Sequence, residues 1–216
     1  MDTLRLLLAD DHPLVREGLR RVLLERPGWE IVAEAGDGAE AVRCALELTP
    51  DVTIMDIAMR RLNGIDAARQ IIRRVPDAQI LMLSMYCDET YVAEALRAGA
   101  RGYLLKESAA ADVVQAVTAV TGGGSFFSPA VAKVMMDNYV RHLEGQDTKD
   151  RYDLLSERER EVFQLIAEGL NNKKIAATLN LSPGTVETHR AHIMEKLNVH
   201  NASEIVLYAV RRGIIR

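Results

Sequence analysis

The sequence contains few cysteines and no long apolar run. Its two cysteines, Cys44 and Cys87, are too few and too widely spaced for a disulfide framework or a cysteine-ligated metal site. The charged group Asp10, Asp11 and His12 interrupts the first apolar run, so we predict no signal peptide, and no other stretch approaches membrane-spanning length. These absences favour a soluble cytoplasmic protein with no membrane partner.

A strong excess of positive charge is also missing. The 216 residues have a formal net charge of -4 and a pI near 5.8, which by itself does not predict nucleic-acid binding. The charge is uneven, however, because residues 1–148 carry -6 and residues 149–216 carry +2. The last third could therefore accept a polyanion, and the length favours two domains.

Short apolar runs alternate with helical periodicity over the first 120 residues. The runs predicted to be strands are Leu4–Ala9, Glu30–Ala35, Val52–Met55, Ile80–Leu83 and Gly102–Leu105. The intervening segments predicted to be helical lie near 14–25, 38–48, 65–73, 89–97 and 109–120, the last of them capped by Ser108. Five such pairs predict an α/β doubly wound domain with a five-stranded parallel sheet, here assigned to residues 1–122.

A glycine run from Gly122 to Gly124 predicts the end of this domain. No strand feeds the run and no Lys-Ser/Thr pair follows it, so it does not match a phosphate-binding loop. Ser128 and Pro129 predict the start of a helix over residues 129–142 within a linker of residues 123–150.

Four short helices are predicted in residues 151–216. Ser156 with Glu159 forms a capping box, a second helix spans Asn172–Asn180, Ser182 precedes the third, and Asn201 precedes the fourth. The short turn between the second and third helices matches a helix-turn-helix unit. We therefore predict a small all-α, four-helix domain.

Four predicted strands end in groups that together suit phosphoryl chemistry. Asp10 and Asp11 follow the first strand, Asp56 the third, Ser84 the fourth and Lys106 the fifth. Parallel strands deliver their carboxyl ends to one edge of the sheet, where ligand sites of such folds lie. Three carboxylates converging there require a compensating positive charge, for which a divalent cation is the natural candidate.

Each of these residues has an expected role. Asp56 is the predicted nucleophile toward a phosphoryl group, with Lys106 and the Ser84 hydroxyl contacting its oxygens. Mg²⁺ is the predicted cofactor. Its expected protein ligands are Asp11, Asp56, the backbone carbonyl of Ala58 and, directly or through water, Asp10.

The chain resembles the response regulators of two-component signalling, in the NarL/FixJ branch with a LuxR-type helix-turn-helix. In the first domain the resemblance is carried by Ala-Asp-Asp-His-Pro-Leu-Val-Arg at 9–16, Met-Asp-Ile-Ala-Met at 55–59, Leu-Ser at 83–84 and Ala-Gly-Ala-Arg-Gly-Tyr-Leu-Leu-Lys at 98–106. In the second it is carried by Leu-Ser-Glu-Arg-Glu at 155–159, Lys-Lys-Ile-Ala at 173–176 and Ser-Pro-Gly-Thr-Val-Glu-Thr-His at 182–189. It covers the whole chain except the linker.

The resemblance implies a receiver domain and a DNA-binding domain that act together in transcription. It implies that a sensor histidine kinase phosphorylates Asp56, that the phosphoryl group is slowly lost by hydrolysis, and that Ser84 and Tyr103 form a switch pair. It further implies a homodimer on a double-stranded DNA operator, with RNA polymerase as a further candidate partner. The protein would then be a phosphoacceptor with self-catalysed transfer and hydrolysis, not an enzyme with turnover.

The acceptor loop departs from the family pattern at one position. Proline usually follows the methionine of the acceptor loop, whereas here Met59 is followed by Arg60 and Arg61. Loss of proline would loosen the loop that carries Ala58, or it would be a surface substitution without consequence.

The third helix of the second domain is the predicted recognition helix. Val186, Ile193 and Leu197 share one face and should pack on the preceding helices. The residues predicted to contact bases are Glu187, Thr188, Ala191 and Arg190. The residues predicted to contact phosphates are Lys173, Lys174, Thr185, His189 and Lys196. The alternative is that Glu187 and Glu195 mark an ordinary solvated helix.

Two other functions remain open on sequence grounds. A regulator that binds DNA without phosphorylation would have the same second domain. An aspartyl-phosphate hydrolase would share Asp56, Mg²⁺ and Lys106, but the Asp-x-Asp motif of such phosphatases is missing, because Ala58 occupies its second position.

Overall fold

The computed structural model describes residues 3–143, 151–199 and 201–215. The chain divides into two units, Met1–Gly145 and Gln146–Arg216. Among the described residues, none of the helices is both long enough and apolar enough to cross a lipid bilayer.

The first unit is built on a parallel sheet whose strand order is β2-β1-β3-β4-β5-β6. The strands are β1 Leu4–Ala9, β2 Trp29–Ala35, β3 Val52–Asp56, β4 Gln79–Ser84, β5 Gly102–Leu105 and β6 Phe126–Phe127. The helices between them are α1 Pro13–Leu24, α2 Gly38–Leu48, α3 Gly64–Arg74, α4 Glu89–Arg97 and α5 Ala109–Thr121. The predicted doubly wound α/β fold is confirmed.

The predicted count of five strands is wrong by one. Phe126 and Phe127 form a sixth strand, which pairs in parallel with Gly102 and Tyr103. Two residues are too short to show the alternation by which strands are recognised in sequence, and the preceding glycines predict a break. The pairing with β5 extends one residue beyond β6, because the Ser128 amide donates to the Tyr103 carbonyl oxygen at 3.2 Å.

Both faces of the sheet are covered, which explains why the strands are continuous apolar runs. Alternate strand residues such as Leu7, Met55 and Met82 pack with α2, α3 and α4, while their neighbours such as Ile54 and Leu81 pack with α1 and α5. Because the central strands are buried on both sides, their polar groups are found mainly at the strand ends. The functional side chains are therefore concentrated at the edge of the sheet.

Side chains cap the starts of α2, α3 and α4, but not those of α1 and α5. The Asp37 and Asn63 side chains accept from the amides of Glu40 and Asp66, starting α2 and α3. The predicted cap of α5 by Ser108 is wrong, because the Ser108 side chain makes no capping bond. Its hydroxyl lies 3.3 Å from the Leu105 carbonyl oxygen, in the turn that follows β5, and donates to it.

The predicted helix in the linker is confirmed as α6, Pro129–Leu143. It packs against α4, and Val131 is buried in the core that also contains Tyr103. The predicted polar segment after it lies, for residues 144–150, outside the described residues. The division into 1–122, 123–150 and 151–216 stays a prediction, but the described part of the linker packs with the first unit.

The second unit contains a 3₁₀ turn, Arg151–Leu154, and the four predicted helices. These are α7 Glu157–Ala167, α8 Asn172–Leu179, α9 Pro183–Leu197 and α10 Ala202–Arg211. Ser156 and Glu159 form the predicted capping box at the start of α7. Their core contains Phe163, Ile175 and the three α9 residues predicted from the helical periodicity, so that face of α9 is confirmed as internal.

Candidate functional site

Three carboxylates and an ammonium group meet at the carboxyl ends of β1, β3 and β5. The register of β1 and β3 pairs Ala9 with Met55, which places the following residues, Asp10 and Asp56, side by side. The Lys106 Nζ atom lies 2.7 Å from an Oδ2 atom of each of these two aspartates. All three side chains are at most 5% exposed, so the ion pairs are shielded from water.

The Asp56 carboxylate is held at both of its oxygens. Its Oδ1 atom accepts from the Ala58 amide at 3.3 Å, and Oδ2 faces Lys106. Burial and the neighbouring Asp10 charge raise the pKa of Asp56, while Lys106 opposes that rise. A more basic carboxylate is a better nucleophile once it is deprotonated, so this environment suits attack on an electrophile.

The acidic side chains also fit a hard divalent cation. One ligand atom from each of Asp10, Asp11, His12 and Asp56 lies within 4.8 Å of the others. Three of these four are carboxylates, the ligand type that Mg²⁺ prefers, and Asp11 is partly open to solvent so that water can complete the shell. The donor set fits Mg²⁺. The predicted role of the Ala58 carbonyl stays a prediction.

His12 and Arg16 are parts of this site that sequence reasoning did not single out. The His12 Nδ1 atom lies 2.7 Å from Asp11 Oδ1, and the Arg16 guanidinium donates to the Asp10 carbonyl oxygen at 2.5 Å. His12 precedes α1 and Arg16 lies in its first turn. Their position soon after Asp10 and Asp11 in the sequence is the feature that could have indicated their place in the site.

Arg60, which stands where proline is expected, lies beside the acidic site, and Arg61 follows it in the loop. Arg60 Nε is 4.0 Å from Asp11 Oδ2, and Arg61 Nη1 is 3.2 Å from Asp37 Oδ2. Arg61, the residue after the expected proline position, has a φ of +64°, which is a left-handed conformation. The loop is closed at its far end by Gly64, where an added Cβ would lie 2.0 Å from the Asp56 carbonyl oxygen.

Ser84 and Tyr103, the predicted switch pair, are both buried beside the site. The Ser84 hydroxyl accepts from the Tyr86 amide at 3.0 Å, and the Tyr103 hydroxyl donates to the Tyr86 carbonyl at 2.8 Å. Burial raises the pKa of Tyr103 well above its usual range, although a hydrogen bond with Ser84 opposes this. The protonated Tyr103 hydroxyl therefore ties β5 to the segment that precedes α4.

An ion-pair network links the acceptor loop to α4. Asn63, which caps α3, donates through its side chain to Asp66 at 2.8 Å, and Arg69 pairs with both Asp66 and Glu94. Burial lowers the pKa of Arg69, but the two carboxylates outweigh it and the pKa is raised. A polar network therefore connects Asn63, in the loop after Asp56, through α3 to Glu94 of α4.

In the second unit, the predicted DNA contacts lie on the outer side of α8 and α9. The exposed members of the set are Lys173, Lys174, Thr185, Glu187, Thr188 and Ala191. His189, Arg190 and Lys196 are half-buried, and Lys196 Nζ pairs with Glu159 at 2.6 Å. That pairing makes Lys196 the least available of the predicted phosphate contacts. All these contacts stay predictions.

Asn172, at the start of α8, is a residue of this surface that sequence reasoning did not select. Its side chain hydrogen-bonds to both Glu187 and Arg190 of α9. Because the contact joins residues of two different helices, no local sequence pattern predicts it.

Two protein-family models match the chain. The response regulator receiver domain matches residues 6–118, and the family described as bacterial regulatory proteins, luxR family, matches residues 153–209. The two matches coincide with the α/β unit and the helical unit.

Full-length relatives are similar along nearly the whole chain. The transcriptional regulatory protein DegU of Brevibacillus brevis is 36% identical over 226 residues, covering 99% of this chain and 95% of its own length. The transcriptional regulatory protein LiaR of Bacillus subtilis is 39% identical over 212 residues, with coverages of 98% and 99%.

Solved structures give the same result. A LuxR-family two-component response regulator from Aurantimonas sp. SI85-9A1 is 41% identical with a TM-score of 0.61, over 64% of this chain and 99% of that one. The RcsB response regulator of Salmonella typhimurium is 28% identical with a TM-score of 0.60, over 98% and 100%. A structure of an RcsB–DNA complex is 27% identical with a TM-score of 0.59, over 97% and 98%.

Proposed function

The chain belongs to the response regulators that combine a receiver domain with a LuxR-type DNA-binding domain, and we propose that phosphorylation of Asp56 controls its binding to DNA. As a transcriptional regulator it has the two parts that such control needs. The observation that carries the proposal is the buried contact of Asp10, Asp56 and Lys106, because such a cluster suits a reactive carboxylate.

The proposed reaction transfers a phosphoryl group from a phosphohistidine of a sensor kinase. A carboxylate oxygen of Asp56 forms a bond to phosphorus as the phosphorus–nitrogen bond to the histidine breaks. The Lys106 ammonium then pairs with a phosphoryl oxygen, and Ser84 donates its hydroxyl to another. Mg²⁺, held by Asp10, Asp11, Asp56 and the Ala58 carbonyl, would supply positive charge that offsets the phosphoryl oxygens.

The switch would begin at Ser84. When its hydroxyl turns to the phosphoryl group, the Tyr86 amide loses an acceptor, and Tyr86 is also the residue whose carbonyl holds Tyr103. Movement of this segment reaches α4, and through α4 the helix α6 that packs on it. The proposed result is a homodimer that presents two copies of α9 to operator half-sites about one turn of DNA apart.

The direct test is Asp56→Asn in the full chain with a small phosphodonor and Mg²⁺. We expect no phosphate incorporation, because an amide is not a nucleophile toward phosphorus, and no tightening of DNA binding. Asp77→Asn is the matched control, since Asp77 is exposed at the opposite end of β4 and should label like the wild type.

Two results would contradict the proposal in different ways. Undiminished labelling of Asp56→Asn would place the acceptor elsewhere. Normal labelling of the wild type, with the same operator affinity for wild type and Asp56→Asn, would instead favour a regulator that binds DNA without phosphorylation.

A further inference from the structure

The side chain of Asn172 joins two residues of α9 that sequence alone left as separate candidates. Its Nδ2 atom donates to the Glu187 carboxylate, and its Oδ1 atom accepts from Arg190 Nη1 at 3.2 Å. The amide can have only this orientation, because the reverse would set oxygen against carboxylate and NH₂ against guanidinium. We propose that Asn172 positions Glu187 to accept a hydrogen bond from the exocyclic amine of one cytosine in the major groove.

The hydrogen bonds of Asn172 join two helices that are fixed relative to each other. Asn171 caps α8 by accepting from the Lys174 amide at 3.0 Å, which fixes where the helix begins and where Asn172 lies. Behind it, Ile175 of α8 and Val186 of α9 are fully buried in the same core. The two helices therefore keep a constant register, and the Glu187 carboxylate is held in place before any DNA arrives.

Glu187 is also on the side of α9 that DNA can reach. It is exposed and lies in the second turn of the helix, beside exposed Thr188, while Val186 points into the core. Residues near the start of a recognition helix are those that contact base edges. The carboxylate is therefore available to a base in the groove without any movement of the helix.

The chemistry of a carboxylate selects the base. An ionised carboxylate only accepts hydrogen bonds, so it is repelled by phosphates and by the acceptors of guanine and thymine. Adenine offers its N6 amine beside the acceptor N7, whereas the N4 amine of cytosine has no acceptor next to it on its own edge. A fixed carboxylate in the groove therefore favours cytosine and disfavours every other base.

Arg190 completes the arrangement by offsetting the charge of Glu187. A bare carboxylate would weaken binding to all DNA, but the guanidinium is attached to the same amide. Arg190 thus reduces the repulsion between Glu187 and the DNA, while the preference of Glu187 for the cytosine amine is unchanged.

The inference rests on the proposed DNA-binding function, and base selection by the full chain, phosphorylated with a small phosphodonor, tests both. From a pool of random duplexes, the wild type should select a cytosine at one position of each half-site. Glu187→Gln should change that preference toward adenine, which a glutamine amide matches at N6 and N7, and Glu187→Ala should reduce it by roughly tenfold. Asn172→Ala should weaken the cytosine preference less than Glu187→Ala does.

Glu195→Gln is the matched control, because Glu195 is exposed on the same helix two turns later and should keep the wild-type preference. If Glu187→Gln and Glu187→Ala bind all sequences more tightly with no change at any position, Glu187 is only a solvated side chain and the inference is wrong. If Asn172→Ala keeps the full preference, the positioning role is wrong. If the wild type selects no sequence at all, the proposed function itself fails.

Discussion

Asp56 and Glu187 are both carboxylates on which the proposed function depends, but their surroundings are opposite. Asp56 is 1% exposed and faces two other charged groups across a few ångströms. Glu187 is exposed and fixed by one neutral amide. A carboxylate that forms a covalent bond interacts more strongly with neighbouring charges when water is excluded. A carboxylate that recognises a base must instead stay accessible to the DNA.

The same difference applies to the positive charges of the two units. Lys106 compensates two buried carboxylates, so its removal leaves an uncompensated cluster in a medium of low polarity. Lys173 is exposed to water at the start of α8, and within the part of the chain that the structure describes no buried carboxylate pairs with it. Equal changes in charge should therefore have very unequal effects in the two units.

The largest effect is expected from Lys106→Met. Asp10 and Asp56 would face each other without a cation, so we expect a loss of about 3 kcal/mol in the free energy of unfolding of the first unit. Phosphate incorporation should fall by roughly 100-fold or more, because the charge that meets the phosphoryl oxygens is gone. Urea unfolding followed by the fluorescence of Trp29, the one tryptophan of the chain, measures the stability of this unit.

Lys173→Met is the matched control for stability. Lys173 is exposed and has no buried partner among the described residues, so Lys173→Met should change the free energy of unfolding of the second unit, measured by calorimetry of the full chain, by no more than about 0.5 kcal/mol. If the two substitutions destabilise the protein equally, the contrast between buried and exposed charge is wrong.

Much of the first site could be predicted because a parallel sheet imposes it. Once residues such as Asp10, Asp56 and Lys106 are recognised as strand ends, the shared direction of the strands brings them together without further information. The loop arginines could not be placed in this way, since the left-handed backbone at Arg61 depends on how the loop closes against Gly64. The short strand β6 was missed for lack of any periodicity.

The DNA-facing surface was less predictable for a physical reason. Helical periodicity identified the buried side of α9, because burial constrains Val186 and Ile193. For the exposed side, no periodicity of the sequence indicates which residues contact a partner. Asn172 becomes visible only when α8 and α9 are packed, and the availability of Lys196 changes when Glu159 is found beside it.

An effect of intermediate size is expected from Glu159→Gln, which removes a buried charge whose partner Lys196 is half-exposed. Burial raises the pKa of Glu159, but its bonds to Lys196 and to Ser156 outweigh this and leave the pKa below its usual value. A lowered pKa means that the ionised form is bound more favourably in the folded state, so the stabilisation is present above the unfolded pKa of about 4.3. It is lost as the pH falls through the lower pKa of the folded state.

We therefore expect Glu159→Gln to destabilise the second unit by about 1 kcal/mol at neutral pH and to have little effect in strong acid. Calorimetric unfolding of the full chain at several pH values measures this difference. Glu195→Gln, an exposed carboxylate of α9, should show no such pH dependence. A cost of Glu159→Gln that stays constant with pH would contradict the ionic contribution.

The smallest effect on stability is expected from Lys173→Ala, which should instead change the salt dependence of DNA binding. If Lys173 meets a phosphate, its removal should lower the slope of log affinity against log salt concentration by about 0.9 without altering the selected sequence. Lys133→Ala, an exposed lysine on α6 of the first unit, removes the same charge and should leave the slope unchanged. Equal slopes for the two variants would mean that net charge rather than a contact governs binding. A reduced slope for Lys173 alone, with stability untouched, would show that this exposed charge acts on a partner rather than on the fold.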